Sequence, residues 1–333
     1  MRQNAYLRFQ TFKSAPPIME YISQFLNYLL ADKGYSPQTT AKYRQDLISF
    51  RNFFVNLERE LTWKTVDSDV VRQWMAAEMG RNVSARTMKR SLSALRSFYR
   101  YLMRMGLAEA DPAHKIVNPK ADKPLPVFVK EKEMDRLFDE VQFPEDFEGQ
   151  RDHLILLAFY STGMRVSELV GLDVEALNFE RNELRVTGKR NKQRVIPFGK
   201  ELSKELCAYL KERAALPCGS RGPLFVRPNG QRQTAADVRR MVKQYLSLVT
   251  SQKRRGPHVL RHTFATVMLN NGAELEAVKE LLGHESLATT EIYTHTTFAE
   301  LRREYEKAHP RGDAILKKDN KERISEENLE LEK

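Results

Sequence analysis

NELRVTGKRNKQRVIPF, residues 182 to 198, interrupts a chain that otherwise reads as helix after helix. Two short runs, NELRVTG and KQRVIPF, flank the basic tip GKRNK, the pattern of a β-hairpin. Upstream, DHLILLAFYSTGMRVSELVGL (152–172) predicts a buried helix, a break at Gly163 and a second helix from about Arg165. Downstream, KELSKELCAYLKERAAL (200–216), TAADVRRMVKQYLSLV (234–249), HVLRHTFATVMLNNG (258–272) and ELEAVKELLGH (274–284) read as helices, with loop and turn at RGPLFVRPNGQ. EKEMDRLFDEV (131–141) is helical too. The fold class is therefore mainly α with one small antiparallel β-sheet.

Further towards the N-terminus, DPAHKIVNPKADKPLPVF (111–128) holds four prolines, which disfavour a continuous helix and predict an extended interdomain linker. Residues 19–110 form a separate helical pattern. Its first helix, ISQFLNYLLADKGYS, stops at Gly34; the second is capped by Ser36 with Pro37 in its first turn. In SARTMKRSLSALRSFYRYLMRMG (84–106), Met88, Leu92, Leu95, Tyr99 and Leu102 form one helical stripe. Arg86, Lys89, Arg90, Arg96, Arg100 and Arg104 lie off it, with no acidic residue between 84 and 108. A basic face opposite a packed face is what a helix lying along phosphates shows; a plain solvated face is the alternative. The expected organisation is a flexible arm (1–18), a helical DNA-binding domain (19–110), the linker (111–128), a second domain (129–311) and a mobile charged tail (312–333).

The bulk composition agrees with two domains. The chain has 333 residues, 41% of them hydrophobic, and a net charge of +11. Such an excess points to an anionic polymer, nucleic acid first and an acidic membrane surface second. No run of about 18 apolar residues is present to span a membrane. Cys207 and Cys218 make neither a metal spacing nor a disulfide framework, which suits a reducing, cytoplasmic compartment.

HVLRHTFAT (258–266) and LLGHESLATTEIYTH (281–295) gather histidine, arginine and tyrosine. His258 and His262 are four apart, a zinc-like spacing, but no Glu follows the first histidine and Arg261 between them opposes a dication. An anion fits better. Arg165, Lys189, Arg194, His258, Arg261 and His284 all donate hydrogen bonds, and arginine binds phosphate bidentately. Tyr293 offers a phenol, a weak nucleophile that works only on a strongly activated phosphate. Dense donors around one phosphodiester stabilise the charge of its transition state. The set fits phosphoryl transfer to tyrosine without a metal. Spacing alone neither brings these residues together nor selects Tyr293 among twelve tyrosines.

TGMRVSEL, GKRNKQR, HVLRHTFAT, LLGH and TEIYTH, in this order and spacing, resemble the tyrosine recombinase (phage-integrase) family, nearest its Xer type. The resemblance covers about residues 19–311. It implies a two-domain DNA clamp, a helical SAM-like core-binding domain joined to an integrase-like catalytic domain. It also implies roles. Arg165 resembles the first catalytic arginine, and Glu168 the acid that orients it. Lys189 resembles the general acid for the leaving 5′ oxygen. His258 and Arg261 resemble the pair that moves a proton and clamps the phosphate. His284 resembles a phosphate donor, and Tyr293 the nucleophile of a 3′-phosphotyrosyl intermediate. Arg190 stands where many relatives have glycine. Arg86, Lys89, Arg90, Arg96, Arg190 and Arg194 are the expected DNA contacts.

Neither metal nor ATP nor another cofactor is implied. The implied partners are double-stranded DNA with paired half-sites and a homo- or hetero-tetramer exchanging the C-terminal helix of TTFAELRREYEKAHP. A second Xer recombinase and the translocase FtsK complete the implied set. Packing of that helix on its own domain is the alternative. The short segment before Met19 favours chromosome dimer resolution at a dif-like site through a Holliday junction. Mobile-element integration, excision or inversion stays open, as do a type IB topoisomerase-like enzyme and a catalytically silent DNA-binding protein.

Overall fold

A computed structural model describes residues 18–120, 127–188, 192–283 and 298–312. The chain divides into two compact units, Met1–Pro124 and Leu125–Lys333. Among the described residues, no helix is long and apolar enough to cross a membrane.

The first unit contains α1 (Ile18–Ala31), α2 (Pro37–Leu57), α3 (Ser68–Gly80) and α4 (Ala85–Arg104). Each start has a local cause. Ser36 accepts the Thr39 N–H ahead of Pro37, Asp67 accepts from Asp69 and Val70, and Ser84 accepts from Thr87. The α4 stripe of Met88, Leu92, Leu95, Tyr99 and Leu102 is buried as its periodicity predicts. It packs into an aromatic core with Phe25, Phe50, Phe54, Trp63, Trp74 and Phe98. Phe98, Tyr99 and Tyr101 thus serve packing rather than base stacking.

The opposite side of α4 is less uniform than its charge suggests. Arg86 and Lys89 are exposed. Arg90 instead forks onto the buried Asp46 carboxylate at 3.0 and 2.8 Å, where Ser91 adds a third hydrogen bond. Arg96 donates to the carbonyls of Ala113 (2.9 Å) and Ile116 (2.5 Å) and to Asn118. These bonds bind the start of the proline-rich strap to α4, and Ala113 and Ile116 join the helical core. The strap expected from Asp111 onwards is therefore, up to Ile116, part of the helical unit. Asp46→Ala is expected to cost about 1–3 kcal/mol, because it strands the Arg90 and Ser91 donors. A lower urea midpoint for the variant checks this; an unchanged midpoint would show that the pair contributes nothing.

The second unit holds α5 (Glu131–Asp139), α6 (Phe147–Thr162), α7 (Val166–Gly171), β1 (Leu177–Asn178), β2 (Glu183–Thr187), β3 (Gln193–Pro197), α8 (Lys200–Arg213), α9 (Ala235–Val249), α10 (Pro257–Asn270), α11 (Leu275–Leu282) and α12 (Phe298–Ala308). Its central helix is α6, buried without a break from Leu154 to Thr162 and packed against α8 and α10. The sheet is antiparallel in the order β1-β2-β3, with Leu184 opposite Ile196 and Val186 opposite Arg194. The short β1, pairing Leu177 with Leu184, extends the expected hairpin to three strands.

α12 packs on its own unit. Leu301, Tyr305 and Ala308 are buried, Asn271 donates to the Ala308 carbonyl at 2.8 Å, and the buried His309 ring stacks on Tyr305.

Candidate active site

The site begins where α6 stops. Gly163 takes a left-handed φ of +59°, and a Cβ there would lie 2.5 Å from the Phe264 ring, so glycine is required on both counts. This reversal sends Met164 into the core and puts Arg165 immediately ahead of α7. Glu168, in the first turn of α7, accepts the Arg165 backbone N–H at 2.7 Å, as an acid at the third helical position does. Its carboxylate also accepts the Arg165 guanidinium at 2.8 Å.

Glu168 is almost fully buried, its side chain 1% exposed. Arg194, on β3, completes its neutralisation with two further bonds, 2.8 and 2.9 Å, one to each carboxylate oxygen. Burial pushes the Glu168 carboxyl up, but the hydrogen bonds from Arg194 and from the Arg165 N–H outweigh it and hold the group below the usual carboxylate range.

The carboxyl end of α11 organises the arginines. The carbonyls that end a helix lack intrahelical partners and sit at the negative end of its dipole. Here Leu281 O accepts from Arg194 Nε (2.9 Å), Leu282 O from Arg261 (2.6 Å) and Gly283 O from Arg165 (2.8 Å). Arg261 also donates to Gly163 O at 2.8 Å, which joins the end of α11 to the end of α6. Among the described residues, three guanidiniums against one carboxylate leave two positive charges in excess. Burial, and then the charge of Arg165, draw Arg261 down to about 10, so it stays protonated at neutral pH. This excess suits an anion, and a guanidinium fork suits phosphate oxygens.

His258 lies in the first turn of α10 behind Pro257 and is exposed, as is His262 one turn on. Partial burial, followed by the charges of Arg261 and other cationic neighbours, lowers the His258 pKa. The shift favours the neutral ring, the form able to accept a proton.

Arg165, Glu168, Arg194 and Arg261 thus meet in one connected network, with His258 in the field of its arginines. Lys189, Arg190, His284 and Tyr293 lie outside the described residues. The hairpin that leads to Lys189 is closed by Gly188 N–H to Lys192 O at 2.7 Å. Gly283, left-handed at φ +62°, directly precedes His284.

Reading for charge alone did not reveal that Arg194 serves the Glu168 carboxylate, nor that the carbonyls of residues 281–283 receive three arginines. The glycine in LLGH signals a helix terminus, but the partners of that terminus come from 21, 87 and 118 positions away.

Two family models match the chain. Residues 127–300 match the phage integrase family, and residues 22–106 match the phage integrase N-terminal SAM-like domain. The chain belongs to the phage integrase family, the tyrosine recombinases, and is an enzyme of that class. Within it the likeness is to the Xer type. The chain is 36% identical to tyrosine recombinase XerC of Chlorobaculum tepidum over 318 residues, covering 88% of this chain and 95% of that one. With XerC of Thermodesulfovibrio yellowstonii the identity is 39% over 297 residues, covering 87% and 96%. Among solved structures, XerH bound to its difH substrate superposes with a TM-score of 0.66 at 21% identity, covering 86% of this chain and 94% of the other. The Tn1549 transposon integrase with transposon right-end DNA gives 0.66 at 20%, covering 86% and 98%. These two structures support the fold.

Proposed function

We propose that this protein cuts and rejoins double-stranded DNA at a specific site, one strand at a time, through a covalent bond between Tyr293 and a 3′-phosphate. The observation that carries this reading is the cage of Arg165, Glu168, Arg194 and Arg261 built on the carbonyls of residues 281–283, immediately before His284. Arg165 and Arg261 hold the non-bridging oxygens of the scissile phosphate and stabilise the charge that grows on them. Tyr293 Oη attacks phosphorus, with His258 taking up its proton. The bond from phosphorus to the 5′ oxygen breaks, and Lys189 supplies the proton to that leaving oxygen. His284 adds a donor to a phosphate oxygen. Ester energy is kept in the phosphotyrosine, so a free 5′ hydroxyl from another strand can reverse the step and rejoin the chain.

Of the expected DNA contacts among the described residues, Arg86 and Lys89 on α4 are the exposed ones. With Arg190, in the basic run GKRNK, they are assigned to the phosphate backbone. The likeness to XerC favours resolution of joined chromosomes in the cytoplasm, at a dif-like site through a Holliday junction. A tetramer, a paired recombinase and the translocase FtsK belong to this reading. Exchange of α12 between protomers would require the buried contacts of Leu301, Tyr305 and Ala308 to be remade on a neighbour.

The test uses the full-length protein. Fragments of the source genome are incubated with it, and denaturant-resistant adducts are recovered and sequenced. A nicked duplex of the recovered site is then compared with wild type and Tyr293→Phe. The adduct is expected with wild type and absent from the variant. If genomic fragments that the protein demonstrably binds yield no denaturant-resistant adduct, the catalytic reading is refuted.

A further inference from the structure

Arg194 differs from the other two arginines of the cage. All three of its guanidinium nitrogens are engaged inside the protein, by Leu281 O and by the two oxygens of Glu168. Its side chain is 15% exposed against 33% for Arg165, though Arg261 is more deeply buried than either. It also packs tightly: a Cβ on Gly283 would lie 3.0 Å from an Arg194 nitrogen. We infer that Arg194 is a positioning residue for the recombination reaction, an assignment that rests on the function proposed above. It touches no phosphate. It acts through Glu168, each of whose oxygens bonds once to Arg194 and once to Arg165. It acts also through Leu281, whose carbonyl is the first of the three that receive the cage.

The consequence is that β3, α7 and the end of α11 are set in register by one side chain. Without Arg194, Glu168 keeps Arg165 as its one partner among the described residues and can turn with it. The end of α11 loses its bond to β3, and the two carbonyls that hold Arg261 and Arg165 move with it. Lysine cannot substitute, because one ammonium does not span a carboxylate and a carbonyl in the planar fork that arginine presents.

The experiment measures single-turnover cleavage by wild type, Arg194→Lys and Arg194→Gln at saturating protein, with DNA affinity and melting temperature alongside. Two nicked duplexes of the recovered site are used, one with the natural phosphodiester and one with an uncharged methylphosphonate at the scissile position. On the phosphodiester, both variants are expected to be slowed about 100-fold, the cost of a displaced clamp, while affinity stays within about threefold. On the methylphosphonate, which needs no charge neutralisation from Arg165 and Arg261, the loss is expected to shrink to under about tenfold. If Arg194→Gln does not fold, Arg194→Lys carries the comparison.

Cleavage at the wild-type rate in the variants would overturn the assignment. So would equal losses on both duplexes. Restoration by lysine together with a matching loss of affinity in Arg194→Gln would make Arg194 a phosphate contact instead. Failure of wild type itself to cleave either duplex would overturn the recombinase reading, and this inference with it.

Discussion

Arg261→Ala is expected to slow strand cleavage by about 10³-fold, the upper end of the effect of removing one preorganised donor from a developing oxyanion. The size follows from burial. Arg261 is 8% exposed, and two of its nitrogens are held by Gly163 O and Leu282 O. Its guanidinium is thus fixed before DNA arrives and needs no reorganisation in the transition state. Low water content around it strengthens each remaining interaction with phosphate. The substitution also strands two carbonyls, at about 1–3 kcal/mol each where water cannot reach them. Arg261→Lys is expected to recover little, since an ammonium cannot bridge both carbonyls and still offer a fork to phosphate. Single-turnover rates on the nicked duplex, with melting curves of the same preparations, separate the two effects. A folded Arg261→Ala protein that cleaves at the wild-type rate would remove this residue from the phosphate site.

Glu168→Gln is expected to destabilise the second unit by about 3–5 kcal/mol, the cost of removing one partner from a buried ionic network. For a unit of this size that is roughly 6–20 °C of melting temperature. The variant keeps the shape of the side chain but leaves Arg165, Arg194 and Arg261 as neighbouring cations without their carboxylate. The pH dependence has a definite sign. The Glu168 carboxyl titrates lower in the folded protein than an ordinary glutamate, so its stabilisation is fully present above the unfolded value of about 4.3. It is lost as pH falls through the lower, folded value. Wild type should therefore lose stability on acidification through this window, while Glu168→Gln, with no group to titrate, shows a shallower slope. Parallel acid-denaturation curves for the two proteins would show that Glu168 is not the ionised centre of the cage.

Much of the fold was legible because its causes are local. The stripe from Met88 to Leu102, the Ser36-Pro37 start of α2 and the hairpin around GKRNK depend on residues within a few positions of one another. The chemistry of the site was partly legible for a related reason. Arginine, histidine and tyrosine in separated, ordered motifs restrict the reaction, and residue type is visible without coordinates. The family match then agreed with the resemblance those motifs carried.

What stayed hidden was the direction in which each charge is used. Arg90, Arg96 and Arg194 all read as phosphate contacts, because a sequence displays a charge but not its partner. Asp46 is 44 residues from Arg90, Ile116 is 20 from Arg96, and Leu281 is 87 from Arg194. In each case a buried acceptor captures the guanidinium, since a carbonyl or carboxylate taken from water is costly to leave unpaired. By itself the sequence determined the helices, the hairpin and the kinds of side chain available for chemistry, all set by short-range backbone and residue preferences. Only the tertiary structure decided which arginines face inward and that three of them converge on the end of α11, because burial and long-range pairing exist only once the chain has packed.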